Sequence, residues 1–181
     1  MFTRDIITSN PLSSETDHPV ELADIMQTIK VFFDEPNQFE MRNIRHLMGI
    51  TGLYFIFLAN TVIQYPFGQS SLIYIGMSEK KSNSIGSRLA GHLDGRSGNV
   101  GILNYARFYQ AFFTYLNFQM LRRMWPYKVE DLESYFIADF VKRYGVHPIC
   151  NNKTSLEISQ KDLDVDLIID WTYFEQRRVQ Q

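Results

Sequence analysis

The chain has little cysteine, no long apolar run and no excess of charge of one sign. Its one cysteine, Cys150, excludes an internal disulfide and any zinc cluster built on cysteine ligands. Apolar runs such as Leu53 to Leu58 are far too short to span a bilayer. The opening residues Met1-Phe2-Thr3-Arg4-Asp5 hold no apolar stretch of signal-peptide type, so export by that route is not expected and the cytoplasm is favoured. No internal repeat or low-complexity tract is visible. At 181 residues the chain fits one domain with extensions and is long enough to bury its own core.

What is present is unevenly placed. The net charge is only −2, yet residues 77–128 carry Lys80, Lys81, Arg88, Arg96, Arg107, Arg122, Arg123 and Lys128 against Glu79 and Asp94, a local balance of +6. Residues 1–50 and 129–181 each come to −4. A basic middle between acidic ends suits a phosphate-binding face. A solvated surface of uneven charge accounts equally well for the numbers alone. The 14 Phe, 10 Tyr and 2 Trp fit either a packed core or a protein interface.

Polar residues and proline make 1–20 an irregular arm, and the spacing of Leu22, Ile25, Met26 and Ile29 predicts a short amphipathic helix within Val20 to Phe33. Gly52 to Leu58 is a continuous apolar and aromatic run that reads as a central strand buried on both faces. Residues 59–71 have the composition of a long hairpin connection, and Leu72 to Met77 is the second strand. Within it, Gly76 removes a side chain where something approaches the backbone closely. Ser82-Asn83-Ser84 offers N-cap oxygens for a helix from about Ile85 to Leu93, followed by a flexible loop over 94–99. Residues 107–118 fit a third strand or a helix. A helix from about Val129 to Tyr144 is stopped by Gly145 and Pro148, and the tail carries a further helical pattern around Leu167 to Arg177.

One carboxylate breaks the pattern. On the 129–144 helix the side chains of Val129, Leu132, Phe136, Ile137, Phe140, Val141 and Tyr144 form one apolar stripe, and Glu133 falls near its middle. A lone buried carboxylate costs several kcal/mol, so Glu133 must be protonated, ion-paired or bound to a metal. Glu130, Asp131 and Asp139 lie at the stripe's edge and read as solvated surface. On the shorter helix Arg88 and His92 share a face beside Ile85 and Leu89. Arginine forks onto phosphate oxygens; a histidine at such a boundary is equally compatible with structural packing.

Taken together, Gly52-Leu53-Tyr54, Tyr74-Ile75-Gly76, Arg88 with His92, Glu133, and the segment from Tyr144 through Pro148 to Asn151 resemble the GIY-YIG nuclease domain. That domain occurs in homing endonucleases, some restriction enzymes and the bacterial excision-repair incision protein. The resemblance covers residues 50–153, with an N-terminal arm over 1–49 and a C-terminal tail with a helix over 154–181. It implies an α+β fold with a three-stranded antiparallel sheet flanked by helices. It also implies a metal-dependent endonuclease hydrolysing phosphodiester bonds, with DNA the favoured substrate.

On that resemblance Glu133 holds one Mg²⁺ (or Mn²⁺), Arg88 takes a non-bridging phosphate oxygen, Tyr54 is the general base and Tyr74 orients the water. His92 and Asn151 complete the catalytic set, with Asn152 as the alternative register, and Lys80, Lys81, Arg88 and Arg96 meet the nucleic acid. The sequence departs from the family in having Leu53 for isoleucine, a longer connection between the strands, and Met77 where some members place a lysine. The alternative is a catalytically silent module of the same fold that binds nucleic acid or a protein partner. The N-terminal arm is a candidate contact for a homodimer or another protein.

Overall fold

Every residue from Gly52 to Leu58 is buried, and the alternation of its side chains divides the interior in two. Leu53, Phe55 and Phe57 enter one hydrophobic cluster, while Tyr54, Ile56 and Leu58 enter the other. A strand with both faces covered has no polar side to spare, which is why the run lacks the usual polar alternation. The computed structural model describes residues 27–151 and 163–175.

The order of elements is β1 (Gln27–Val31), β2 (Asn37–Gln38), α1 (Met41–Ile44), β3 (Gly52–Leu58), β4 (Ile63–Tyr65), β5 (Gly68–Ser70), β6 (Leu72–Ser78), α2 (Ile85–Leu93), α3 (Val100–Phe108), β7 (Ala111–Asn117), α4 (Phe118–Leu121), α5 (Val129–Tyr144) and β8 (Val165–Ile169). The fold is α+β. Its main sheet is antiparallel with strand order β2-β7-β3-β6, so it has four strands where the sequence led us to expect three. The fourth is the two-residue β2, too short to leave a periodic signal. The segment 111–117 is a strand, and the hairpin connection carries its own small ribbon of β4 and β5.

The helices expected near the two ends of the chain are not found among the described residues: 27–31 form β1, and 167–175 complete β8 and add a 3-10 turn over Trp171–Phe174. The irregular arm over 1–20, residues 20–26 and residues 176–177 lie outside the described residues. The two strands pair with each other in parallel, Gln27 opposite Val165 and Val31 opposite Ile169. Ile29, Val31, Val165, Leu167 and Ile169 join the same cluster as Phe55 and Phe57, so tertiary burial overrides the helical spacing. Polar bonds hold this ribbon to α5. The Tyr135 hydroxyl donates to Asp166 at 2.6 Å and accepts from the Leu167 amide at 3.0 Å. Trp171 Nε1–H donates to Asp139 at 2.7 Å, so Asp139 is a structural acceptor rather than the solvated acid expected of it.

The helices begin and end for local reasons. Ser84 caps α2, its Oγ accepting the Ser87 amide at 3.3 Å, and Ile85 and Leu89 are fully buried against the sheet. Helix α5 stops at Gly145, whose φ of 91° is left-handed. It buries Val129, Leu132, Phe136, Ile137 and Phe140.

Candidate functional site

Strand β6 is the edge of the main sheet, and a β-bulge shapes the site there. Ile56 pairs with Tyr74 but Phe57 pairs with Leu72, leaving Ile73 as the extra residue. Ile73 and Tyr74 therefore face the same cluster as Tyr54, although they are neighbours in sequence. Tyr54 lies opposite Gly76, and a Cβ on that glycine would come within 2.5 Å of the Tyr54 ring and 2.6 Å of the Tyr74 ring. The missing side chain is what lets two phenols lie over one strand position. Gly52 has a comparable duty at φ 144°, where a Cβ would stand 2.0 Å from the Leu116 carbonyl oxygen.

The ring centroids of Tyr54 and Tyr74 are 5.9 Å apart, and His92 stands 5.9 Å from the first and 5.0 Å from the second. The Tyr54 hydroxyl and His92 Nε2 are hydrogen-bonded at 3.0 Å, and His92 Nδ1 bonds Ser97 Oγ at 2.8 Å. In a neutral imidazole one nitrogen donates and the other accepts, so proton positions in these two bonds are linked. Burial, reinforced by the Arg88 charge, pushes the His92 pKa down to about 4, which keeps the ring neutral.

Arg88 faces both phenols. Its charge lowers the pKa of each, although burial outweighs it and both remain raised; for Tyr54 the neighbouring Tyr74 adds to the rise. Arg88 Nε–H is buried and has no hydrogen-bond acceptor among the described residues. Glu133, 7% exposed on α5, lies close enough to raise the Tyr74 phenol further. The four groups expected on four separate elements are thus brought to one neighbourhood by β3, β6, α2 and α5.

Asn151 completes the edge. Its Oδ1 accepts the Ile75 amide at 2.9 Å and its Nδ2 donates to the Ile75 carbonyl at 2.7 Å, so the side chain imitates a neighbouring strand beside Tyr74. The Cys150 amide donates to the bulged Ile73 carbonyl at 2.9 Å. Asn152, the alternative register, lies outside the described residues.

In front of these groups opens a cleft of about 370 Å³ lined by Tyr74, Arg88, His92, Arg96, Ser97 and Asn151, together with Asn83, Ser87 and the 98–99 turn. Tyr54 is fully buried behind Tyr74. Arg96 reaches the cleft while paired with Asp94 at 2.6 Å, both exposed. Lys80 and Lys81 are exposed at the turn leading into α2.

Sequence reasoning missed Ser97 and Asn99. The first anchors His92; the second caps α3 through Oδ1 and donates to the Cys150 carbonyl at 2.8 Å. The signal available was Asn99 directly before the apolar run of α3, an N-cap position that the reading of 94–99 as a loop passed over.

Among the described residues no three or more His, Cys, Asp or Glu converge on one point. That donor set does not make a full protein cage. A hard cation that keeps most of its waters needs only one protein carboxylate, and Glu133 is the buried carboxylate near the phenols. No helix among the described residues is long and apolar enough to cross a membrane. No family model matches this chain, and no curated protein or solved structure matches it either.

Proposed function

We propose that this chain is a metal-dependent endonuclease of the GIY-YIG type, acting on nucleic acid in the cytoplasm, with DNA the favoured substrate. The observation that carries the reading is a guanidinium with an unspent buried donor facing two phenols, one of them on the wall of an open cleft, with the nearly buried Glu133 carboxylate near that phenol but off the cleft wall. The antiparallel neighbours β7, β3 and β6 within the four-stranded sheet are compatible with the three-stranded sheet that the resemblance implies.

In this reading the cleft takes a scissile phosphate. Arg88 receives a non-bridging oxygen and stabilises the charge that grows there as water attacks phosphorus and the leaving P–O bond breaks. Tyr74, at the cleft wall, orients the attacking water. Tyr54, as its phenolate, is the general base that takes the water's proton. Burial opposes that ionisation and the Arg88 charge favours it, while His92 is hydrogen-bonded to the Tyr54 oxygen. Glu133 would hold one Mg²⁺ or Mn²⁺, which when bound supplies Lewis-acid neutralisation of phosphate charge. Asn151 positions Tyr74 through the Ile75 backbone and touches no reacting atom.

The test is direct. Plasmid, single-stranded DNA and RNA are each incubated with the protein in Mg²⁺ and in chelator. Cleavage confined to the Mg²⁺ arm, and lost in both Glu133→Gln and Arg88→Ala proteins of unchanged circular dichroism, is the expected result. Full activity in either variant refutes the roles given to them. A silent module of the same fold draws support from the complete burial of Tyr54. It predicts retention of an oligonucleotide without cutting under any divalent metal.

A further inference from the structure

Five of the eight basic side chains of residues 77–128 are gathered by the fold at one end of the main sheet. Gly52 pairs with Ser78 on one side and with Asn117 on the other, so β6 and β7 both finish beside the start of β3. The connection after β6 brings Lys80 and Lys81 to that end; the connection after β7, residues 118–128, brings Arg122, Arg123 and Lys128 and contains no acid. All five side chains are exposed, and none enters a salt bridge among the described residues. The acids nearby are Glu79, Glu130 and Asp131, the last of which accepts the Lys128 amide at 3.1 Å. The connections at the opposite end of the sheet, residues 59–71 and 109–110, hold no charged side chain at all.

The two cationic connections lead into α2 and α5, whose early turns carry Arg88 and Glu133. With β3 between them, β6 and β7 lie two strand spacings apart, on the order of 10 Å. That separation is too wide for one phosphate group and suits successive phosphates of a polymer.

We propose that this end of the sheet is the surface on which a nucleic-acid backbone lies, with Lys80 and Lys81 on one side and Arg122, Arg123 and Lys128 on the other. It deepens the nuclease reading by giving the substrate's path, and rests on that reading only for the placement of the scissile phosphate. Arg107, on α3, is excluded from the surface.

The test is fluorescence anisotropy of a short labelled DNA duplex in chelator, over a series of salt concentrations. The double variants Arg122→Gln/Arg123→Gln and Lys80→Gln/Lys81→Gln are each compared with the parent, with Arg107→Gln as the control. Each double variant is expected to bind several-fold more weakly and to flatten the plot of log affinity against log salt by about 1.8, the loss of two phosphate contacts. Arg107→Gln is expected to leave both quantities unchanged. Parental affinity and slope in either double variant, an equal loss in Arg107→Gln, or no binding by the parent at low salt overturns the surface. Cleavage measured alongside in Mg²⁺ separates the two ideas. Cutting that is indifferent to Arg122 and Arg123 keeps the nuclease and loses the surface; binding through these cations without cutting does the reverse.

Discussion

At the scale of single residues the site depends on what is absent from position 76. Both tyrosine rings occupy the volume a Cβ would need, and His92 stands against both of them. Gly76→Ala is therefore expected to cost about 1–3 kcal/mol by overpacking and to reduce any cleavage far more than it reduces stability. Urea denaturation beside an activity assay separates the two effects. An alanine protein of parental stability and activity would show that the rings have room.

His92 allows a prediction with a definite sign. Its pKa is near 4 in the folded chain and 6.5 in a free side chain. An unfolded chain therefore binds the proton first as pH falls. The stability associated with neutral His92 is fully present above 6.5 and declines as pH drops towards 4, by about 3 kcal/mol at most. The change in unfolding free energy between pH 7 and pH 4.5 should be smaller in His92→Gln than in the parent. Equal changes in the two proteins would mean that the ring does not resist protonation.

At the scale of elements, the open edge of β6 is met at Ile75 by one side chain and at Ile73 by the Cys150 amide rather than by another strand. Asn151 occupies both hydrogen-bonding groups of Ile75, and Asn151→Ala leaves each of them unsatisfied at about 1–3 kcal/mol apiece. Hydrogen exchange should show the effect first at the Ile75 amide. If that amide exchanges as slowly in the alanine variant as in the parent, the bond is not what protects it.

Some of this was legible in the sequence. Helices α2 and α5 announce themselves through Ser84, Gly145 and an apolar stripe broken only by Glu133, and Tyr54, Tyr74, Arg88 and Glu133 stand out from sequence pattern alone. The ribbon of β1 and β8 was not. Ile29 and Val31 alternate with Thr28 and Lys30, but five residues of period two were outweighed by helical spacing that ran in from Leu22. The partner that decides the matter lies far along the chain at residues 165–169. Ser97 was hidden for a different reason: nothing in a Gly- and Ser-containing loop distinguishes the one hydroxyl that meets an imidazole.

At the scale of the whole molecule, the described residues outside 50–153, namely 27–49 and 163–175, contribute to the core. Phe174 and Trp171 pack with Phe33, and the Ser71 amide and hydroxyl both donate to the Phe174 carbonyl, at 2.6 and 2.9 Å. Leu167→Ala should cost about 2–4 kcal/mol and lower the midpoint of a single cooperative unfolding transition. A two-step transition, with the tail melting first, would instead mark the ribbon as independent.

The parallel pairing of β1 with β8 also bears on how the chain is made. β1 leaves the ribosome well before its partner, which follows more than 130 residues later in the sequence. Until residues 165–169 emerge, Phe55, Phe57 and the flank of α5 have no cover on that side. A pairing of such long sequence separation forms late, and the greasy face it shields stays open to water until it does.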